Sequence, residues 1–173
     1  NTGMSSSSSS QQASNNSNHH VRVGVGVLVR DPNCPTNVFC GIRKGSHGAG
    51  SLALPGGHLE MMEEWDECAK REVKEEMGIT LDDDSIKFAY VTNDKMMQQN
   101  KHYVTIFMMG TICSRDDSTQ KPVNMEPEKC AGWDTYSWQE LREISEKGSP
   151  ALFGPLQRLV QDEPKAVLEF LSV

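Results

Sequence analysis

The pattern of hydrophobic and polar positions changes period several times along the chain. Residues 21–29, Val21-Arg22-Val23-Gly24-Val25-Gly26-Val27-Leu28-Val29, form a β-branched run with small residues between, which predicts a strand. Its two glycines predict close approach of another backbone or a ligand on one face. Residues 31–37 are turn-like, with two prolines, and residues 38–43 predict a second strand paired with the first. A glycine-rich loop over 45–50 leads to a short strand at 51–54, stopped by Pro55-Gly56-Gly57. The spacing then shifts to that of a helix over 63–77, ended by Gly78. Strands are predicted at 86–92 and 103–112 with a polar connection between them, followed by a loop over 114–129 and a last strand at 133–138. Residues 139–147, 151–161 and 164–171 have helical spacing. This order predicts an α/β protein with a mixed sheet between helices.

Composition sets residues 1–20 apart. Ser5 to Ser10 is a serine run, followed by Gln, Asn and His, so this segment has little to bury and is expected to be a disordered polar tail. Asn1-Thr2-Gly3 before Met4 reads as tag-like. His19 and His20 are expected to be solvated rather than ligands. Residues 21–173 are expected to form one domain.

The formal net charge of −7 argues against a nucleic-acid polymer as partner, because phosphate backbones dominate that affinity. A nucleotide can still bind if metal ions bridge the two sets of negative charge. Five cysteines without a C-x-x-C pair favour reduced thiols in a cytoplasmic protein over a disulfide framework or a zinc ribbon. No apolar run reaches the roughly 20 residues of a membrane span.

The chemistry concentrates on the first helix. With about 100° per residue, and Trp65 at zero, Cys68 falls near −60°, Ala69 near +40° and Val73 near +80°. These apolar residues mark the face expected to meet the core. Glu72 falls near −20° and Glu76 near +20°, inside that stripe, and Glu75 near −80°, at its edge. Two carboxylates one turn apart on a partly buried face repel each other and lose hydration. A hard divalent cation between them relieves both costs, and a structural cluster of ion pairs is the alternative. Arg71 stands four residues before Glu75 and is placed to pair with it. Gly56 and Gly57 permit close approach of a ligand, and bare carbonyls there can serve a metal. A plain turn is the other reading of the same glycines. Trp133, Tyr136 and Trp138 read as sheet or core aromatics rather than base-stacking groups. For His102, substrate contact and a satisfied strand histidine both remain open. The same holds for the 43–50 loop, between phosphate contact and a plain hairpin loop.

Gly57, Glu63 and the run Arg71-Glu72-Val73-Lys74-Glu75-Glu76-Met77-Gly78-Ile79 together resemble the Nudix box. Further segments, among them residues 41–46, 48–51, 54–60, 102–105 and 124–129, resemble the eukaryotic cytosolic MutT-like branch of that family. The likeness covers about residues 21–160. It implies a Nudix fold, an α/β/α sandwich with a central mixed sheet. It implies magnesium, with manganese as a substitute, bound by Glu72 and Glu76 with help from Glu75, the Gly56 carbonyl and Glu126. The implied catalytic set is Glu75 and Glu76, one of them the base, with Arg71 orienting the glutamates and Glu63 securing loop and helix. Arg43, Gly57 and His58 would meet the substrate. The implied reaction is hydrolysis of the phosphate chain of a nucleoside di- or triphosphate, modified guanine nucleotides among them. The products would be the monophosphate and either pyrophosphate or phosphate.

The resemblance also implies a homodimer. Two departures stand out. Met61-Met62 replaces an aromatic-glycine pair, so the loop is expected to differ in shape. The run Leu152-Phe153-Gly154-Pro155 lacks a tryptophan, so the base pocket is expected to be wider or closed by Phe153. ADP-ribose or nucleotide-sugar hydrolysis is a second reading, which the absence of proline between Pro55 and Pro122 disfavours. A silent Nudix-fold binding module is a third, which the intact glutamate set disfavours.

Overall fold

The computed structural model describes residues 20–45, 47–113 and 121–172. The polar tail expected over 1–20 therefore lies outside the described residues, except for an exposed His20. Ser46 and the first part of the 114–129 loop also lie outside them.

Seven strands and four helices follow in the order β1 (Arg22–Arg30), β2 (Asn37–Arg43), β3 (Leu52–Ala53), β4 (Gly56–His58), α1 (Trp65–Met77), β5 (Lys87–Met96), β6 (Lys101–Thr111), β7 (Cys130–Ser137), α2 (Trp138–Lys147), α3 (Gly154–Asp162) and α4 (Lys165–Leu171). The sheet runs β3-β2-β1-β6-β5, with β4 also pairing β1 and β7 also pairing β2. β1 and β6 are parallel over nine residue pairs and the other pairings are antiparallel, so the sheet is mixed as expected.

Alternation along β1 divides the core. Val25, Val27 and Val29 face α1 and pack with Cys68, Ala69, Val73 and Met77. Leu28 faces the other side, where Trp138, Leu141, Leu156, Leu159, Val167 and Leu171 from α2, α3 and α4 close a second core. Helices thus cover both faces of the sheet, the α/β/α sandwich expected from the sequence. Gly24 and Gly26 alternate with the valines on β1, and the space they leave forms a pocket floor.

β2 pairs with β1 as expected, at Arg30 with Val38, and spends most of its length on β3 and β7. Other expectations are corrected. The stretch after Pro55 does not merely stop a strand. Gly56 to His58 continue as β4 against β1, with Gly56 at φ 149°, where a Cβ would strike the Val25 carbonyl. The β5–β6 hairpin extends well past the hydrophobic pattern, through Asn93, Asp94 and Lys95, leaving a connection of only Met97 to Asn100. The antiparallel ladder carries these polar residues because Asp94 is satisfied within the sheet. Trp65, used to mark the buried face of α1, is 45% exposed and leans on Phe88 at 6.0 Å. It stands at the first turn, over the edge strand β5.

Candidate functional site

Local structure aims α1 at the centre of the molecule. Its start is fixed by the Glu67 carboxylate, which accepts from the Glu64 amide at 3.0 Å. Its end is fixed by Gly78 in the left-handed conformation at φ 70°. Between them, Glu72 and Glu76 stand half-buried beside the buried stripe, while Glu75 is exposed.

Arg71 organises the acidic cluster. Its guanidinium donates from Nε and Nη2 to the two oxygens of Glu63, at 2.7 and 3.0 Å. It also donates from Nη1 to Glu72 at 2.7 Å and from Nη2 to the His58 carbonyl at 3.1 Å. This two-pronged grip ties the loop before α1 to the helix and holds the Glu63 carboxyl down at about 2. Glu75, the expected partner, stands only at 3.6 Å. The fork spends its short bonds on Glu63 and Glu72, and Glu75 keeps the longer i, i+4 ion pair.

Glu76 is anchored differently. Its Oε2 accepts from the Gly56 amide at 2.9 Å. The contact present at Gly56 runs through its N–H, a different group from the carbonyl implied as a metal ligand. Gly57 lies against the Glu72 carboxylate so closely that a Cβ there would collide with it. The loop around Glu126 is drawn onto the end of α1, where the Met125 amide and the Trp133 indole both donate to the Glu76 carbonyl. Trp133 is therefore structural, as expected for a sheet aromatic.

The charges of Glu72, Glu76 and Glu126 act on one another. The Glu76 carboxyl is pushed up to about 7, by burial first, with Glu72 and Glu126 adding and the Gly56 N–H and Arg43 opposing. Glu72 is also raised, chiefly by burial and against the pull of Arg71. Glu126 is tied to Lys129 at 2.7 Å.

Among the described residues no three acidic, imidazole or thiol groups already enclose one point. The donors still fit a hard divalent cation. They are all oxygen, they carry excess negative charge in a partly dehydrated place, and magnesium completes its shell with water and substrate phosphate rather than needing a closed protein cage.

Beside this cluster opens a cleft of about 630 Å³ including its mouth. Gly24, Gly26 and Phe107 form its floor, and Leu54, Phe153 and Leu156 its apolar walls. Arg43, Gly56, Gly57 and His58 sit on the side toward the carboxylates. Arg43 lies with its guanidinium 4.3 Å over the Phe153 ring and donates to the His47 carbonyl at 3.1 Å. Burial lowers its pKa, and the nearby Glu76 charge opposes that. His58 contacts the Tyr103 hydroxyl at 3.2 Å and its pKa is lowered by burial and by Arg22 and Lys101.

The sequence-derived residues thus fall into one region: Glu63, Arg71, Glu72, Glu75, Glu76, Gly56, Gly57 and Glu126 as an acidic cluster, and Arg43, His58 and Phe153 in the adjoining cleft. His102 lies elsewhere, bonded to Asn93 at 2.6 Å across the hairpin, and is a satisfied strand histidine. His47 and Tyr103, parallel rings 6.2 Å apart in the cleft wall, were missed. The only signal for His47 was a ring-bearing residue inside a glycine-rich loop, and for Tyr103 its alternation with Thr105 and Phe107 on β6.

The profile of the NUDIX domain matches residues 20–159. The chain belongs to the NUDIX domain family. Solved structures share the fold at low identity. The MutT NUDIX hydrolase of Burkholderia pseudomallei is 21% identical, with a TM-score of 0.60, over 70% of this chain and 86% of the other. The NUDIX hydrolase of Nitrosomonas europaea is 18% identical, with a TM-score of 0.62, over 83% and 88%. A bifunctional NMN adenylyltransferase/ADP ribose pyrophosphatase of Francisella tularensis, complexed with AMP and a Mn ion, is 18% identical, with a TM-score of 0.62, over 83% of this chain and 42% of that one. The family match and the hydrolase neighbours support a Nudix hydrolase. No helix among the described residues is long and apolar enough to cross a membrane.

Proposed function

We propose that this Nudix protein hydrolyses the phosphate chain of nucleoside di- or triphosphates with magnesium, releasing the monophosphate and either pyrophosphate or phosphate. The observation that carries the reading is the adjacency of two unlike surfaces: a ring-lined apolar cleft sized for a base, and a cluster of carboxylates that repel one another, with Arg43 between them. The likeness to the eukaryotic MutT-like branch, on the residues between Gly41 and Lys129, favours triphosphates and modified guanine bases.

Each residue has a task that follows from its contacts. The cleft takes the base, and Arg43 meets the phosphates as they leave it. Glu72 and Glu76, with Glu75 and Glu126, would hold magnesium. When bound, the metal neutralises phosphate oxygens and makes water more acidic. Arg71 and Glu63 keep the loop and helix at fixed separation. Glu75 or Glu76 accepts the proton of the attacking water. Glu75 is the more exposed of the two, and Glu76 is fixed by the Gly56 amide.

The test is a product assay on deoxynucleoside and nucleoside triphosphates, oxidised and thio-substituted guanine triphosphates, diphosphates and ADP-ribose. Monophosphate release from the triphosphates supports the proposal. Turnover of ADP-ribose alone moves the chain to another substrate class, and nucleotide binding without any turnover makes it a binding module.

A further inference from the structure

Asp94 is a buried acid that the proposed reaction does not use. It is 9% exposed, on β5, and among the described residues it has no ion-pair partner. One of its oxygens, Oδ2, accepts from the Thr92 hydroxyl at 2.7 Å and from the Thr105 hydroxyl at 2.9 Å. Thr92 and Thr105 stand directly opposite each other on β5 and β6, and Asp94 is two residues along from Thr92 on the same face. Thr92 does not reach the cleft, whereas Thr105 lines it between Tyr103 and Phe107.

A hydroxyl has one proton and two lone pairs, and an ionised carboxylate can only accept. A threonine alone in a pocket wall rotates to serve donor or acceptor and so discriminates between neither. Here the Thr105 proton is committed to Asp94, and the side left for a ligand is a lone pair. The carboxylate also polarises the hydroxyl and strengthens it as an acceptor. Beside it on the floor, Gly24, Gly26 and Phe107 offer no side-chain donor to an unmatched acceptor on a ligand edge. A buried carboxylate is costly compared with an apolar side chain, so a packing role alone does not explain it.

We propose that Asp94 is a positioning residue for base specificity: it holds Thr105 as a hydrogen-bond acceptor, so the cleft selects nucleobases whose buried edge carries an amino group. This rests on the reading of the cleft as the base site.

The test is binding of nucleoside monophosphates to the full chain by calorimetry, which needs no turnover. GMP is compared with IMP, which lacks the 2-amino group, and AMP with purine riboside monophosphate, which lacks the 6-amino group. The wild type is expected to favour the amino-bearing member of at least one pair by about tenfold, the size of one well-placed hydrogen bond. Thr105→Val keeps the shape, and brings that ratio to within about twofold. Asp94→Asn, whose amide can donate to Thr105 and free its proton, also lowers it. Thr92→Val removes the other hydroxyl from the same oxygen outside the cleft, and keeps the preference. With the matching triphosphates the change falls on KM rather than kcat.

No preference in either pair, a preference that survives Thr105→Val, or one erased equally by Thr92→Val overturns the inference, the last by showing a merely structural network. An amino preference without any triphosphate turnover upholds it while the hydrolase reading fails. Turnover without the preference does the reverse.

Discussion

In the metal-free protein, Glu76→Gln is expected to be stabilising, although it removes a central residue of the site. Glutamine keeps the length and an oxygen to accept from Gly56, and removes only the charge. The Glu76 carboxyl titrates at about 7 in the folded chain, raised by burial and by Glu72 and Glu126, against an ordinary value of 4.5. A raised carboxyl favours its protonated form in the fold. Its contribution to stability is therefore intact below about 4.5 and is lost as pH rises through about 7. The difference is about 2.5 pH units, or roughly 3 kcal/mol at pH 8, falling below about 1 kcal/mol near pH 5. Solvent screening at this half-buried site reduces it to about 2 kcal/mol. Urea denaturation in chelator at pH 5 and 8 measures it, with the variant gaining over wild type mainly at pH 8. Magnesium should then reverse the order by stabilising only the wild type. A variant less stable than wild type at pH 8 without metal would refute the claim that these carboxylates are held against burial and their own repulsion.

Other outcomes follow from the same geometry. Arg71→Lys loses the fork on Glu63 and the bond to Glu72, and should cost about 2 kcal/mol in urea denaturation at pH 7. Glu63→Gln should be destabilised at neutral pH, and its gap to wild type should close as pH falls from about 4.5 to about 2, because a lowered carboxyl stabilises only while ionised. Gly57→Ala puts a methyl group into the Glu72 carboxylate, so the rise in melting temperature on adding magnesium should shrink or vanish. Phe153→Ala opens the cleft wall and frees Arg43, and should raise KM by about tenfold in steady-state assays while changing kcat little.

The sequence made the sheet, the first helix and the acidic cluster legible because each writes a local signal: period two in β1, glutamates at i and i+4 in α1, and glycines where chains meet closely. Glu72 and Glu76 were placed correctly because helical geometry is rigid enough to project. The angular origin was less secure, since Trp65 lies over the sheet's exposed edge strand and hydrophobicity alone does not reveal that. What stayed hidden depends on long-range pairing. Asp94 reads as part of a polar loop until β6 brings Thr105 opposite Thr92. The choice of Arg71 for Glu63 over Glu75 depends on where the loop before α1 returns, and i, i+4 spacing predicts only the weaker partner. His47 belongs to the cleft because Tyr103 and Phe153, the latter more than a hundred residues later, pack against it.

The central claim is that the carboxylates of α1 act through a divalent metal on a phosphate chain bound from the neighbouring cleft. Its most direct measurement is chromatographic release of monophosphate from GTP by the wild type and Glu76→Gln, in magnesium and in chelator. Turnover is expected for the wild type in magnesium only, with a loss of at least about a hundredfold in the variant. Equal turnover in chelator, or by Glu76→Gln, would contradict it.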